Sequence, residues 1–215
     1  MSSKRAYLPA ARFPSLTPHF DRLARLFVRA DIVYGGVVER MMLGPGDRVL
    51  DLGTGTGSLA HALTQRHPEV HVTGVDPDPD ALGLAREKAP GVEFVQASAT
   101  ELPFGDATFD AAMSSLVFHH LGPQTKRAAL RELARVLKPG APFHLADVDA
   151  PDGPLQRVAS FQLRVFDGFE NSADNVHGRL PDLMREAGFG GVERRRRLKT
   201  PSGTVGFFVA HAPAA

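Results

Sequence analysis

The segment that most constrains this chain is Val49-Leu50-Asp51-Leu52-Gly53-Thr54-Gly55-Thr56-Gly57. Residues suited to a buried strand run directly into three glycines at alternate positions, and Ser58 to Arg66 then reads as a helix. A strand that turns through bare backbone into a helix opens a βαβ unit. Glycine is required where a ligand must approach the main chain and a Cβ would collide. The helix beginning just beyond also offers backbone N–H groups.

The rest of the chain extends that unit. Val70 to Val75, Val92 to Gln96, Phe109 to Ser114 and Pro142 to Asp147 read as further strands. Asp78 to Lys88 and Gln124 to Leu137 read as helices, the second stopped by Lys138-Pro139-Gly140. Strands alternating with helices of this length predict right-handed crossovers and a parallel sheet. The last third departs from this alternation. Leu155 to Phe169 and Leu180 to Ala187 read as helices, and Val192 to Leu198 and Thr204 to Ala210 as two closing strands that pair antiparallel. Ahead of the alternation, Leu16 to Arg29 and Tyr34 to Met42 read as helices, and Met1 to about Pro14 shows no period. The expected architecture is α/β: a Rossmann-like, seven-stranded, mostly parallel sheet with helices on both faces, its last strand antiparallel, under an N-terminal helical cap. One domain is expected over 1–215, with the cap at about 1–44, a cofactor-binding core at 45–150, and substrate-side helices and closing strands at 151–215.

Composition narrows the function. Lys and Arg number 25 against 24 Asp and Glu, a balance unsuited to a surface built to grip nucleic acid. There is no cysteine, which excludes disulfides, thiolate zinc sites and cysteine nucleophiles; no metal site is expected. No apolar run approaches a membrane span, and no apolar run follows Lys4 and Arg5 as in a signal peptide, so a cytoplasmic location is expected. Arg194-Arg195-Arg196-Arg197 with Lys199 is the conspicuous charge cluster. It reads either as a solvated edge balanced by acids or as a weak contact with an anionic membrane.

Two ligand classes fit the glycine turn: dinucleotides, through a pyrophosphate, and S-adenosylmethionine, through its amino-acid end and ribose. Asp76 ends the second strand about 20 residues past the turn, where a carboxylate can accept from both ribose hydroxyls; Pro77 stiffens the bend behind it. The alternative for Asp76 is a helix N-cap or a solvated turn acid. After the third strand, Ser98 and the Ala99 amide would face the edge of a base, with Leu102 and Phe104 as an apolar wall.

Together with Thr108-Phe109-Asp110-Ala111-Ala112-Met113-Ser114-Ser115 and Arg131-Glu132-Leu133-Ala134-Arg135-Val136-Leu137-Lys138-Pro139-Gly140, these segments resemble the class I S-adenosylmethionine-dependent methyltransferases, in the branch of the ubiquinone/menaquinone C-methyltransferases. The resemblance spans about Arg48 to Asp147. It implies S-adenosylmethionine as cofactor, with S-adenosylhomocysteine as product, contacted by Asp51, Gly53, Thr54, Gly55, Thr56, Asp76, Pro77, Ser98, Ala99 and Ser115. Ser98 stands where the family often has Asp or Asn. His119-His120 stands where the quinone enzymes resemble an Arg-Asn pair, which sets quinone acceptors in question.

Methyl transfer from a sulfonium is an in-line displacement that demands alignment and exclusion of water more than a catalytic dyad. If a proton must leave the acceptor, His119 and His120 are the candidate bases; the alternative is that one caps the next helix or packs beside the cofactor. Asp147 and Asp149 are weaker candidates, Asp147 reading rather as a loop organiser and His144 as a packed strand residue. Phe20, Tyr34 and the region near His177 would lie above the cofactor, and Asn171, Asn175 and His177 would face a polar substrate or form a turn. The expected acceptor is a small molecule or lipid. The alternatives are a non-catalytic S-adenosylmethionine-binding module and a nicotinamide-dependent oxidoreductase. Tyr7 and Tyr34 both lack the lysine four residues on that a short-chain dehydrogenase needs, and Ser114-Ser115-Leu116-Val117 lacks the motif of a base N-methyltransferase.

Overall fold

The computed structural model describes residues 20–214, and all their side chains except those of 20, 21, 23 and 162–167. Residues 1–19, where the aperiodic arm and the start of the first helix were expected, lie outside the described residues.

Seven strands form one sheet in the order β3-β2-β1-β4-β5-β7-β6. The strands are β1 (Arg48–Leu52), β2 (His71–Asp76), β3 (Glu93–Gln96), β4 (Ala111–Ser115), β5 (Pro142–Asp149), β6 (Gly190–Thr200) and β7 (Gly203–His211). β1 to β5 run parallel; β7 is antiparallel to both β5 and β6. The expected fold class is therefore observed. The order reverses between β1 and β4, and at such a switch point the carboxyl ends of the strands diverge into a crevice.

Alternation along each strand gives the sheet two apolar faces. Leu50, Leu52, Phe143, Leu145 and Phe208 pack on Leu130 and Leu133 of α5 (Pro123–Val136) and Leu183 of α8 (Leu180–Glu186). Val49, Val72, Met113, Val205 and Phe207 face the other way, against α2 (Ala30–Val38), α3 (Ser58–Arg66) and α4 (Pro79–Lys88). α1 (Phe20–Val28) precedes α2, from which it is divided by Arg29 at φ +57°.

Three departures from the sequence reading have physical causes. The second helix spans Ala30–Val38, earlier than Tyr34 to Met42, because Val33 and Val37 carry its buried side. The helix expected over Leu155 to Phe169 is α6 (Pro154–Asp167), ended by Gly168 at φ +95°, and beyond it lies a helix the sequence reading missed, α7 (Phe169–Val176). α7 has no apolar period because its inner side is polar. Ser172, Asp174 and Asn175 are buried, and the Lys126 ammonium of α5, itself fully buried, donates to the Asn171 carbonyl and lies 3.9 Å from Asp174. Burial holds that lysine below its ordinary pKa, opposed by Asp174. Finally, a bulge between Arg194 and Arg196 lets both Arg194 and Arg197 reach the buried Asp149, at 2.9 and 3.3 Å. Arg195 pairs with Glu193 and Lys199 with Asp152, so most of the basic run is balanced by acids.

Candidate active site

A cleft of about 470 Å³ opens at the carboxyl ends of β1, β2 and β4. Asp51, Gly53, Thr54, Gly55, Thr56, Asp76, Pro77, Ser98, Ala99, Ser115 and His120 all line it. These ten cofactor candidates and one of the two histidines thus share one cavity. Tyr34 of α2 also lines it, as expected of the cap. The side chain of Phe20 lies outside the described residues, and His177 is exposed at the end of α7, away from the cleft lining.

The three glycines serve different ends. A Cβ on Gly53 would come within 2.4 Å of Val117, and one on Gly57 within 2.9 Å of the Ala85 Cβ, so these two permit close packing. Gly55 sits at φ +53° with no atom within 4 Å of a Cβ position and faces the cleft. Here alone among the three, a side chain would occupy ligand space.

The turn's amides are already used. Gly53 N and Thr54 N donate to the Val75 carbonyl at 2.8 and 3.0 Å, Gly57 N to the Thr54 carbonyl at 2.9 Å, and Gly55 N to Asp76 Oδ2 at 2.9 Å. These four amides are therefore not free to receive a ligand. A pyrophosphate needs such donors, and it would meet two carboxylates instead.

Asp51 is buried at the tip of β1 and accepts from Thr54 Oγ1 at 2.7 Å. Burial, with a further push from the nearby Asp76 charge, raises its pKa to about 7 against the hydrogen bonds from Thr54 and the Ala60 amide. Asp76 is also raised by burial, opposed by amide bonds from Asp78 and Gly55. Its Oδ1 accepts from Asp78 N at 2.9 Å. The cap of α4 is Asp78, whose side chain accepts from Asp80 N, so Asp76 is not the N-cap. Each Asp76 oxygen has one lone pair engaged by backbone and another left for a ligand hydroxyl. Two desolvated acids beside an open glycine make a site for a ligand with cationic groups and a vicinal diol.

Lys88 was missed by the sequence reading. From the end of α4 it donates to Thr56 Oγ1 at 3.1 Å and Ser58 Oγ at 2.7 Å, tying the glycine turn to α4. On the base side, Leu102 and Phe104 do not line the cleft, correcting their assignment as its wall. Leu102 is buried in the core and Phe104 packs edge-on against Phe109. Their loop is fixed by the Glu132–Arg135 pair: Arg135 donates to the carbonyls of Leu102 and Phe104, and Glu132 accepts from Leu102 N. That pair gives a structural reason for the Arg-Glu-Leu-Ala-Arg run.

On the acceptor side, Leu116 follows β4 at φ +57°, held by its amide to the Ala146 carbonyl, and lines the cleft with Val117 and Leu121. A left-handed leucine costs on the order of 1 kcal/mol, and such strain tends to collect at functional sites. Val117 N and Phe118 N both donate to Asp147 Oδ2, at 2.9 and 2.7 Å. Asp147 Oδ1 takes His119 Nδ1–H at 2.7 Å, Val148 N at 2.7 Å and Asn175 Nδ2 at 3.1 Å. Burial alone would raise Asp147, but the His119 ring and these donors hold it below the usual carboxylate range. Asp147 is thus the loop organiser. His119 is buried and is not part of the cleft wall, which corrects its place beside His120 as a candidate base. The two rings sit 3.9 Å apart between centroids, His120 on the cleft side. His144 is buried in β5 and pushed down to about 4 by burial, a packed residue. Asn175 serves Asp147 and the Val148 carbonyl, so it neither faces the cleft nor forms a turn. Asp149 is committed to its arginines. Among the described residues no cluster of His, Asp and Glu is set to hold a metal, and no helix is long and apolar enough to cross a membrane.

A doubly wound sheet with an acid-flanked glycine turn at its switch point defines a nucleoside-binding Rossmann-like protein. Comparison with known proteins makes the class specific. Residues 49–140 match the methyltransferase domain family. An uncharacterized methyltransferase of Synechocystis sp. is 32% identical over 182 residues, covering 83% of this chain and 84% of that protein. A demethylmenaquinone methyltransferase of Thermus thermophilus is 37% identical over 145 residues, covering 65% of each. The chain spans just under two thirds of that relative. Human N-acetylserotonin methyltransferase, solved with S-adenosylmethionine, shares the fold at a TM-score of 0.71 and 17% identity, over 100% of this chain and 61% of that one. The chain belongs to the class I S-adenosylmethionine-dependent methyltransferases, and its cofactor is S-adenosylmethionine.

Proposed function

We propose that this enzyme methylates an apolar, ring-bearing small molecule at an ionisable hydroxyl, with the cofactor held along the glycine turn and His120 receiving the hydroxyl proton. The observation that carries the cofactor part of the reading is the pairing of a buried Asp51 and a half-buried Asp76, both raised, with the amides of Gly53, Thr54, Gly55 and Gly57 already spent within the protein. That arrangement favours a ligand with an ammonium and a sulfonium over one with phosphates.

When bound, S-adenosylmethionine supplies a methyl group already activated by the sulfonium charge. The protein's part is binding, alignment and proton removal. Asp51, with Gly53, Thr54 and Thr56 shaping the turn, receives the ammonium end, and bare Gly55 lets the chain of the ligand lie against the backbone. Asp76 accepts from the two ribose hydroxyls while Pro77 fixes the bend behind it. Ser98 and the Ala99 amide meet the adenine edge. Ser115 closes the methionine side below Leu116.

The acceptor enters between Tyr34, Leu116, Val117 and Leu121, walls that are mainly apolar and suit a ring. His120 is the cleft-lining imidazole on that side. His119, locked by Asp147 with its proton on Nδ1, supports the His120 ring from behind. With the cofactor bound to supply the methyl group, His120 would receive the hydroxyl proton of the acceptor. Alignment in the cleft would account for most of the acceleration.

The test is methyl-labelled S-adenosylmethionine offered with a panel of phenolic and hydroxyquinone compounds, read by mass spectrometry. Labelled ether from wild type, and a loss of about 10²–10⁴-fold in His120→Ala, is expected. Turnover that the His120→Ala change leaves intact, or product methylated only at nitrogen, refutes the reading.

A further inference from the structure

Over its described side chains, residues 154–161, helix α6 is packed inside out. Leu155, Val158 and Phe161, three residues apart on one side, are exposed at 77%, 63% and 57%, while Gln156 and Ser160 are turned inward and buried. The buried Gln156 Oε1 and Ser160 Oγ find no hydrogen-bond partner. A helix folded only for this chain's own core would show the opposite polarity.

The inversion belongs to a larger surface. Among the described residues, every exposed large apolar side chain except Met42 lies on α1, α2, α6 or α7. Phe161 of α6 and Phe169 of α7 meet edge to face at 5.7 Å. Leu26 and Phe27 extend the set on α1, at 66% and 48% exposure. α1 and α6 abut the same turn: Ser202 N donates to the Phe27 carbonyl, and the Ser160 hydroxyl lies 2.8 Å from where a Cβ on Gly203 would stand. Because Thr204 pairs with Asp149 at the end of β5, that turn lies at the carboxyl edge of the sheet, the edge that carries the cleft.

Charge identifies the occupant. Residues 1–31 hold Lys4, Arg5, Arg12, Arg22, Arg25 and Arg29 against only Asp21 and Asp31. Arg22, Arg25 and Arg29 are exposed around the apolar residues of α1, and Arg157 is exposed on α6. A second copy of the chain across a twofold axis would set these like charges against each other. An apolar face fringed by arginines is complementary to a lipid surface with anionic headgroups.

We propose that α1 and the outward stripe of α6 seat this enzyme on an anionic lipid surface, with the cleft edge of the sheet toward the bilayer. The inference stands on the surface alone and does not depend on which acceptor the cleft takes.

The chain has no tryptophan, so Phe161→Trp introduces a single reporter. Its emission should shift to the blue on adding phosphatidylcholine vesicles that contain about 30% phosphatidylglycerol, and the shift should fade as salt is raised. In flotation assays, wild type should partition to these vesicles at least about tenfold more than to neutral ones. Phe161→Glu and Val158→Glu should each abolish most of that binding while keeping wild-type affinity for S-adenosylhomocysteine, which verifies the fold. Unshifted emission, equal partition to neutral vesicles, or a dimer in light scattering that Phe161→Glu disperses would overturn the proposal.

Discussion

Replacing Asp51 by asparagine should make the protein more resistant to denaturation at alkaline pH while weakening its hold on the cofactor. Asp51 is fully buried, and its pKa rises from 3.8 to about 7 through burial first, then the Asp76 charge. For an acid raised in this way the folded state binds the proton more tightly than the unfolded one. Stability is therefore greatest below the unfolded pKa and is lost as pH climbs toward about 7. At about 1.4 kcal/mol per pH unit, the full penalty for the ionised form is about 4 kcal/mol, of which about 2–3 kcal/mol develops between pH 5 and 8. Asparagine keeps the size of the side chain and can still accept from Thr54 Oγ1, but it does not titrate. Urea unfolding of both proteins at several pH values measures the effect as a double difference. The free energy of Asp51→Asn relative to wild type should rise by about 2–3 kcal/mol from pH 5 to 8. Binding should move the other way. If the ionised carboxylate receives the ammonium, wild-type affinity for S-adenosylmethionine should increase about tenfold between pH 6 and 8, as the competent fraction grows. The variant should bind about 10–100-fold more weakly than wild type at pH 8 with that pH dependence gone. Parallel stability curves for the two proteins would refute the raised pKa. A variant that binds as well as wild type would refute the ammonium contact.

Other sites give further expectations. Asp76→Ala should cost about 1.5–3 kcal/mol of S-adenosylhomocysteine affinity by calorimetry, because two charged-acceptor hydrogen bonds go with it; unchanged affinity would remove the ribose role. Gly55→Val places a branched side chain in open cleft space at positive φ, so it should abolish cofactor binding and lower stability by about 1–2 kcal/mol, checked by calorimetry and thermal melting. His119→Ala should lower kcat and move the pH–rate profile while leaving cofactor affinity within about twofold, as suits a residue that positions His120. Asp147 is held below the usual carboxylate range, so its contribution is present above about pH 4 and disappears as pH falls through its folded pKa. Asp147→Ala orphans the amides of Val117, Phe118 and Val148 together with His119 and Asn175, and should destabilise by about 3–5 kcal/mol in urea melts.

The sheet was legible because its signal is local. Buried strands, glycine turns and crossover helices repeat with periods that the chain itself displays, and Asp51, Asp76, Ser98 and Ser115 all fall at strand ends, where such folds gather ligands. What escaped depends on partners distant in sequence. α7 is polar on its buried side because Lys126 and Asp147, from 28 and more residues away, satisfy it, and no hydrophobic period betrays such a helix. His119 and His120 are adjacent and chemically equal in sequence; only the position of Asp147 turns one inward. Leu102 and Phe104 were assigned to the cleft from their place after β3, yet the Glu132–Arg135 clamp pulls that loop onto the core. In the arginine run, the bulge at Arg194–Arg196, which no local pattern announces, lets Arg194 and Arg197 share Asp149.

A crystal structure with S-adenosylhomocysteine bound tests the central claim most directly. It should show both Asp76 carboxylate oxygens within about 2.6–3.2 Å of the ribose hydroxyls, and the ligand's ammonium at a similar distance from Asp51. A ligand seated with its ribose turned away from Asp76, or its amino group directed to solvent, would contradict it.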